Sequence, residues 1–166
     1  GLVPALEIDG LTLTQSLPII EYLDETRPGA RLIPENPVAR HRVRAISCAI
    51  AMEIHPVCNL SVAKHAAERS GEEGAMADWM RAFIPRGLEG VEGMLAQGGT
   101  GGFCHADTPT LADCCLIPQL YNAHRWGVDL EPFPLVRHVA ESCDTLNAFQ
   151  AARPEAVKPD VNQEMR

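Results

Sequence analysis

One stretch of eleven residues divides this sequence. RPGARLIPENP, residues 27–37, carries Pro28, Pro34 and Pro37 and shows no hydrophobic period. Proline fixes φ and removes a backbone donor, so neither a helix nor a strand runs through such a stretch. Before it, Val3, Leu6 and Ile8 lead to Asp9-Gly10, and Leu11 and Leu13 follow. Alternation around an Asp-Gly pair predicts a β-hairpin. Leu17, Ile19, Ile20 and Leu23 then recur at helical spacing over 16–25, with Ser16 as the expected N-cap and Pro18 tolerable in the first turn. Beyond residue 37 every periodic segment reads as helix. The expectation is an α/β piece over 1–27, a linker over 28–37, and an all-helical domain over 38–166.

Within the helical part, Asn36 and Pro37 suit the cap and first position of a segment reaching about Arg69, bent near Pro56. A second segment spans roughly 72–97, interrupted around Pro85-Arg86-Gly87. GGTGG at 98–102 reads as a flexible loop. A phosphate cradle there would need a strand before it and Lys-Ser/Thr after it, and neither is present. Thr110 and Asp113 have capping-box spacing at the head of a helix over 110–126. That helix is nearly apolar along Leu111, Ala112, Cys115, Leu116 and Leu120, which predicts a central, buried position. A last helix is expected over 134–151, and the tail from Arg153, with Pro154 and Pro159, is expected to fray.

Charge and cysteine usage narrow the function classes. Fourteen basic against 22 acidic residues give a net charge of −8, the wrong sign for a general nucleic-acid binder. No uninterrupted apolar run reaches the ~18 residues of a membrane span, and no signal-peptide pattern opens the chain. Cysteines at 48, 58, 104, 114, 115 and 143 include no Cys-x-x-Cys pair, and most sit in apolar helical context. This pattern favours a reducing, cytoplasmic compartment. His55 and Cys58 are three apart, but no second ligand pair lies near them, so no metal site is expected.

With these pieces placed, the chain resembles a zeta-class glutathione transferase, the maleylacetoacetate isomerase family. The resemblance rests on GLVPALEIDGLTLTQSLPIIEYLDE, RPGARLIPENP, IHPVCNLSVAKH, TLADCCLIPQLYNAHRWGVDLEPFP and LNAFQAARPEAVKPD. It covers nearly the whole chain in family order. Val-Pro before a hairpin and Gln-Ser before a helix are shared by many glutathione transferases, whereas NLSV and NAHRWGVDL point to the zeta class. The implied fold is part of a thioredoxin-like α/β domain followed by the all-helical transferase domain, with glutathione bound at their junction. In the family a strand, helix, strand and helix precede the Val-Pro hairpin, together with an S-S-C-x-x-R type motif that stabilises the glutathione thiolate. That motif is not in the 166 residues, so no catalytic residue is assigned and this chain alone is expected to be inactive.

The resemblance carries roles to particular positions. Val3-Pro4 would be a cis peptide whose backbone pairs with the cysteinyl backbone of glutathione; without the family, an ordinary trans proline at a strand start would be expected. Gln15 and Ser16 would hold the γ-glutamyl end, a role consistent with the free N–H groups of a helix start. The plainer reading is a capping serine beside a solvent-facing glutamine. His55, Asn59, Leu60 and Ser61 would reach toward glutathione from around Pro56, although a lone helical histidine is more often structural. Arg125 would anchor a substrate carboxylate through a charge-assisted pair. Its alternative is a cation placed favourably at a helix C-terminus. Thr110 and Asp113 are expected to be a structural cap.

The activity implied is glutathione-dependent cis–trans isomerisation of a small maleyl substrate, as in maleylacetoacetate or maleylpyruvate. Thiolate adds to the conjugated alkene, the resulting single bond rotates, and elimination releases the trans product. A homodimer is implied for the complete protein. Two rivals stand beside this reading: a general conjugating or dehalogenating glutathione transferase, and a non-catalytic module of the same fold.

Overall fold

A computed structural model describes residues 3–158; the expectation about the tail beyond them lies outside the described residues. Strands β1 (Ala5–Ile8) and β2 (Leu11–Thr14) pair antiparallel, with Leu6 opposite Leu13 and Ile8 opposite Leu11. The turn is of type I′, with positive φ at both Asp9 (54°) and Gly10 (74°), whose twist matches that of paired strands. The Asp9 carboxylate accepts from the Tyr22 hydroxyl at 2.7 Å and from Arg27 at 2.5 Å, tying the turn to the end of α1 (Ser16–Thr26). These partners hold its pKa below the usual carboxylate value, the tyrosine hydrogen bond contributing most.

The proline-rich stretch is anchored rather than slack. Buried Asp24 accepts from Leu32 N at 2.6 Å and its carbonyl from Arg31 at 2.7 Å, while Ile33 enters the core. Leu32 O in turn accepts from Leu111 N at 3.0 Å. Asn36 then caps α2 (Pro37–Cys48), its side chain accepting from Val38 N and Ala39 N, with Pro37 in the first turn.

The expected single bend at Pro56 is replaced by a longer irregularity. After α2 the chain widens into a π-helical stretch, Ala49–Ile54, passes through the short α3 (His55–Val57), and restarts at Asn59 as α4 (Leu60–Ser70). Pro56 lacks a donor and its ring crowds the carbonyl four residues back, and the wider turns just upstream spread that distortion over six residues. By length and composition alone the run 37–70 is apolar enough to cross a membrane, although no uninterrupted apolar stretch in it is that long. Its inward positions Val43, Ile46, Ile50, Ile54 and Cys58 are core residues, while 28% of its most apolar window is buried.

Helix α5 (Ala75–Ala96) runs without the interruption expected at Pro85. Met80, Ile84, Leu88, Val91 and Leu95 fall on one face and are fully or almost fully buried. Each such side chain contributes roughly 1.5–3 kcal/mol, which together outweighs the ~3 kcal/mol a mid-helix proline costs. α6 (Leu111–Arg125) lies centrally, buried through Leu111, Leu116, Leu120 and Ala123. The helix expected over 134–151 is instead two pieces, α7 (Pro134–Asp144) and α8 (Asn147–Ala151), and the start of the tail expected to fray from Arg153 forms a further short helix, α9 (Pro154–Val157). Glu92 on α5 caps α7, its two carboxylate oxygens accepting from Leu135 N and Val136 N at 2.9 Å each.

The glycine-rich loop is also stitched down, not loose. Thr100 Oγ1 donates to Leu95 O at 2.8 Å and accepts from Arg42 at 3.0 Å, and Gly102 N donates to Asp107 at 3.1 Å. At its end Asp113, fully buried, accepts from Cys104 N (2.8 Å), Thr110 N (2.7 Å) and Thr110 Oγ1 (2.8 Å). One carboxylate thereby caps α6 and fixes the loop that enters it.

Candidate glutathione and substrate site

The hairpin sets the first group of candidate residues. Ala5 pairs with Thr14, so Val3-Pro4 and Gln15-Ser16 lie side by side at the open end of the hairpin. The Val3-Pro4 peptide is cis, and Val3 is 91% exposed. Ser16 is the first residue of α1, not its N-cap; Gln15 holds the cap position at φ 69°, ψ 125° with no side-chain capping bond. A non-glycine residue in that region is strained and marks a place where surroundings impose the backbone. No side chain caps the helix start, so the N–H groups of exposed Ser16 and half-buried Leu17 have no side-chain partner there, as a bound carboxylate requires.

The second group sits where α3 ends. His55 is exposed at the start of α3. Asn59 is the N-cap of α4, its Oδ1 accepting from Ser61 N at 2.9 Å and Ser61 Oγ at 2.8 Å. Those two side chains are therefore spent largely on each other. Leu60 is 47% exposed, and Met52 and Val57, which bracket His55 in sequence, are exposed as well. Among the described residues no hydrogen bond joins this group to the hairpin end.

Two residues that sequence reasoning missed hold this corner in place. Trp79 Nε1 on α5 donates to Val57 O at 2.9 Å, satisfying a carbonyl at the end of α3. Gly87, one helical face further along, meets Ile54 so closely that a Cβ would fall 2.4 Å from its Cγ1. Glycine in mid-helix beside a proline was the available signal, since it costs stability unless close packing requires it.

Arg125 ends α6 in an exposed position, its guanidinium 5.8 Å from the Trp126 ring and in no ion pair among the described residues. Arg81 Nε donates to Trp126 O at 2.9 Å, fixing the helix end against α5. One turn earlier on α6, Tyr121 donates its hydroxyl to Glu155 of α9 at 2.8 Å. This pair also escaped the sequence reading, because a helix of four residues has no periodicity to detect.

Among the described residues no group of three or more His, Cys, Asp or Glu side chains could hold a metal. All six cysteines are free thiols. Burial pushes Cys114 up to about 11 and Cys115 and Cys143 up to about 12, so none of these is an activated nucleophile. What the described residues offer is recognition: exposed backbone, free helix-start amides, and an unpaired guanidinium.

Comparison with known proteins agrees in sequence and in shape. Residues 68–152 match the family model for the glutathione S-transferase C-terminal domain. A maleylacetoacetate isomerase from Rhizobium meliloti (strain 1021) is 54% identical over 160 residues, covering 96% of this chain and 75% of the relative. A crystal structure of a maleylacetoacetate isomerase from Anaeromyxobacter dehalogenans 2CP-1, with dicarboxyethyl glutathione and citrate bound in its active site, superposes with a TM-score of 0.88. It is 44% identical and covers 96% of this chain and 73% of its own. A holo maleylpyruvate isomerase, described as a bacterial glutathione S-transferase of the zeta class, gives a TM-score of 0.89 at 40% identity, covering 96% and 76%.

Proposed function

Because the chain belongs to the zeta-class glutathione transferases, the family of the maleylacetoacetate and maleylpyruvate isomerases, we propose that it is a glutathione-dependent cis–trans isomerase of maleyl keto acids. The relatives favour this reading over a general conjugating transferase and over a non-catalytic module. Glutathione supplies the nucleophile, a thiol that adds to the conjugated double bond and leaves again after the bond has turned.

The residues present fit that cofactor. The free amides of Ser16 and Leu17, at the positive end of the α1 dipole, suit the γ-glutamyl carboxylate, and Gln15 and Ser16 side chains flank them. The exposed backbone at Val3, beside Pro4, offers an unpaired edge to the peptide part of glutathione. His55, Asn59, Leu60 and Ser61 form a second wall, in which Asn59 and Ser61 act chiefly by fixing the start of α4. Arg125 holds a substrate carboxylate, and the observation that carries this role is its exposed guanidinium without an ion-pair partner among the described residues. A held carboxylate leaves the alkene end of the substrate free to rotate.

We place the protein in a reducing, cytoplasmic setting, which six free thiols suit. A homodimer is the assembly proposed, and the exposed apolar residues Val38 and Met52 offer surface for it.

The test is Arg125→Ala in the full-length protein. Loss of a hydrogen bond to a charged group, ~1.5–3 kcal/mol, should lower kcat/KM for a maleyl substrate by about ten- to over a hundredfold. Glutathione affinity and conjugation of a neutral aryl halide should hardly change. Equal losses in both reactions, with the fold intact, would remove Arg125 from the substrate site.

A further inference from the structure

We infer that Glu155 is an internal carboxylate seated on the substrate's own anion site, and that substrate must displace it from Tyr121. Tyr121 and Arg125 are four apart on α6, so they share one face and stand one above the other. Both are exposed, and Tyr121 is 44% accessible although aromatic. The Arg125 charge is near enough to act on the Tyr121 phenol, so a neutral donor and a cationic donor share that exposed face. That is the chemistry of a carboxylate clamp.

In the described fold one of those donors is already occupied. The Tyr121 hydroxyl donates to Glu155 Oε1 at 2.8 Å. Glu155 comes from α9, four residues long, which follows the Arg153–Asp144 ion pair and carries no buried residue. The hold on α6 is therefore light. Electrostatics agree with the geometry. The Glu155 hydrogen bond raises the Tyr121 pKa above its ordinary 10.0, so the phenol stays a donor, while the Arg125 charge pulls the other way. The Glu155 carboxyl is lowered by its backbone and Tyr121 hydrogen bonds and by the nearby Arg153 and Lys158 charges, so it stays ionised.

Tyr121 is on this reading a specificity-determining residue. Its hydroxyl takes a carboxylate in either state, from Glu155 when empty and from the substrate when filled. A neutral electrophile gains nothing by displacing Glu155. The α9 contact therefore screens against uncharged substrates and costs a dicarboxylate only one exchanged hydrogen bond. This inference rests on the assignment of Arg125 to the substrate carboxylate.

The experiment uses the full-length protein at saturating glutathione and reads KM for the maleyl substrate, the inhibition constant of malonate, and the melting temperature. Glu155→Ala should lower both constants about two- to tenfold, the value of one exchanged hydrogen bond, with kcat retained. Glu155→Gln, which keeps an acceptor for Tyr121 and removes only charge, should give a smaller fall. Tyr121→Phe should raise both constants, and in that background Glu155→Ala should bring no further fall. Unchanged or higher constants in Glu155→Ala with unchanged melting would overturn the inference, as would a fall that persists undiminished in Tyr121→Phe. Arg125→Ala separates the two readings. Unchanged constants in Arg125→Ala would overturn the Arg125 assignment and this inference with it, whereas raised constants there with unchanged ones in Glu155→Ala would overturn this inference alone.

Discussion

Three glycines on α5 make a controlled experiment in packing. Gly87, Gly90 and Gly93 all lie inside the same helix, so replacing any of them by alanine removes the same backbone penalty, about 0.8–1 kcal/mol. Around Gly90 and Gly93 a Cβ meets nothing within 4 Å, and both substitutions should stabilise the protein by up to that amount. At Gly87 the new methyl would lie 2.4 Å from Ile54 Cγ1, 2.7 Å from Cδ1 and 3.3 Å from Cβ. Those atoms are branch and stem of a buried side chain on the π-helical stretch, with no free space to swing into. Overpacking of this kind costs about 1–3 kcal/mol, which exceeds the propensity gain at most of its range. Gly87→Ala should therefore melt lower by several degrees, taking ~2–4 °C per kcal/mol for a chain of this size, while its neighbours melt higher. In an Ile54→Ala background, itself costing roughly 2–5 kcal/mol, Gly87→Ala should turn neutral or stabilising, because the clashing atoms are gone. Thermal and urea melts of the six proteins measure all of this. If Gly87→Ala rises in step with Gly90→Ala and Gly93→Ala, α5 does not touch the π-helical stretch at Ile54, and the argument for how His55 is positioned collapses.

Other outcomes follow from neighbouring features. Trp79→Phe, which strips the 2.9 Å bond to Val57 O, should cost about 0.5–1.5 kcal/mol and raise KM for glutathione more than KM for the maleyl substrate. Asp113→Ala orphans the buried Cys104 and Thr110 amides and should cost about 2–6 kcal/mol, with activity per folded molecule nearly unchanged. The thiol shifts set an alkaline limit. Cys114, Cys115 and Cys143 ionise near 9.0 when unfolded but at about 11 to 12 when folded, so their contribution is complete below pH 9 and is lost as pH climbs toward 12. Thermal melts should be flat in this respect up to that point and fall beyond it; rapid labelling of Cys143 in the native protein at neutral pH would contradict its burial.

Much of this architecture was readable from local chemistry. Asp9-Gly10 specified the hairpin turn, Asn36-Pro37 the start of α2, and Thr110 with Asp113 the head of α6, because each depends on residues within a few positions of one another. Most of the misreadings are non-local. Pro85 looked like a break because its cost is local, while the burial of Ile84, Leu88 and Val91 that overrides it depends on helices far along the chain. The glycine-rich loop looked loose because its anchors, Arg42 and Asp113, are distant in sequence or hidden in a cap. Ser16 was assigned one position out, and the positive φ of Gln15 had no signature at all. At the candidate site the family resemblance named residues, but not Trp79 and Gly87, which act through the backbone they support.

The π-helical stretch has a consequence for how the chain tolerates deletion. Core residues Ile46, Ile50, Ile54 and Cys58 recur every four positions, and in a pure α-helix each such step overshoots a full turn by about 40°. The wide turns at Ala49–Ile54 absorb that overshoot and keep the row pointing inward. Removing one outward-facing residue from 49–54 would let the segment tighten into ordinary α-helix, whose larger rotation per residue nearly makes up for the lost position. Ile54 would then stay close to its place against Gly87, and His55 would keep nearly the same direction. A one-residue deletion there should cost far less than one within α2, where every downstream position would turn by about 100°.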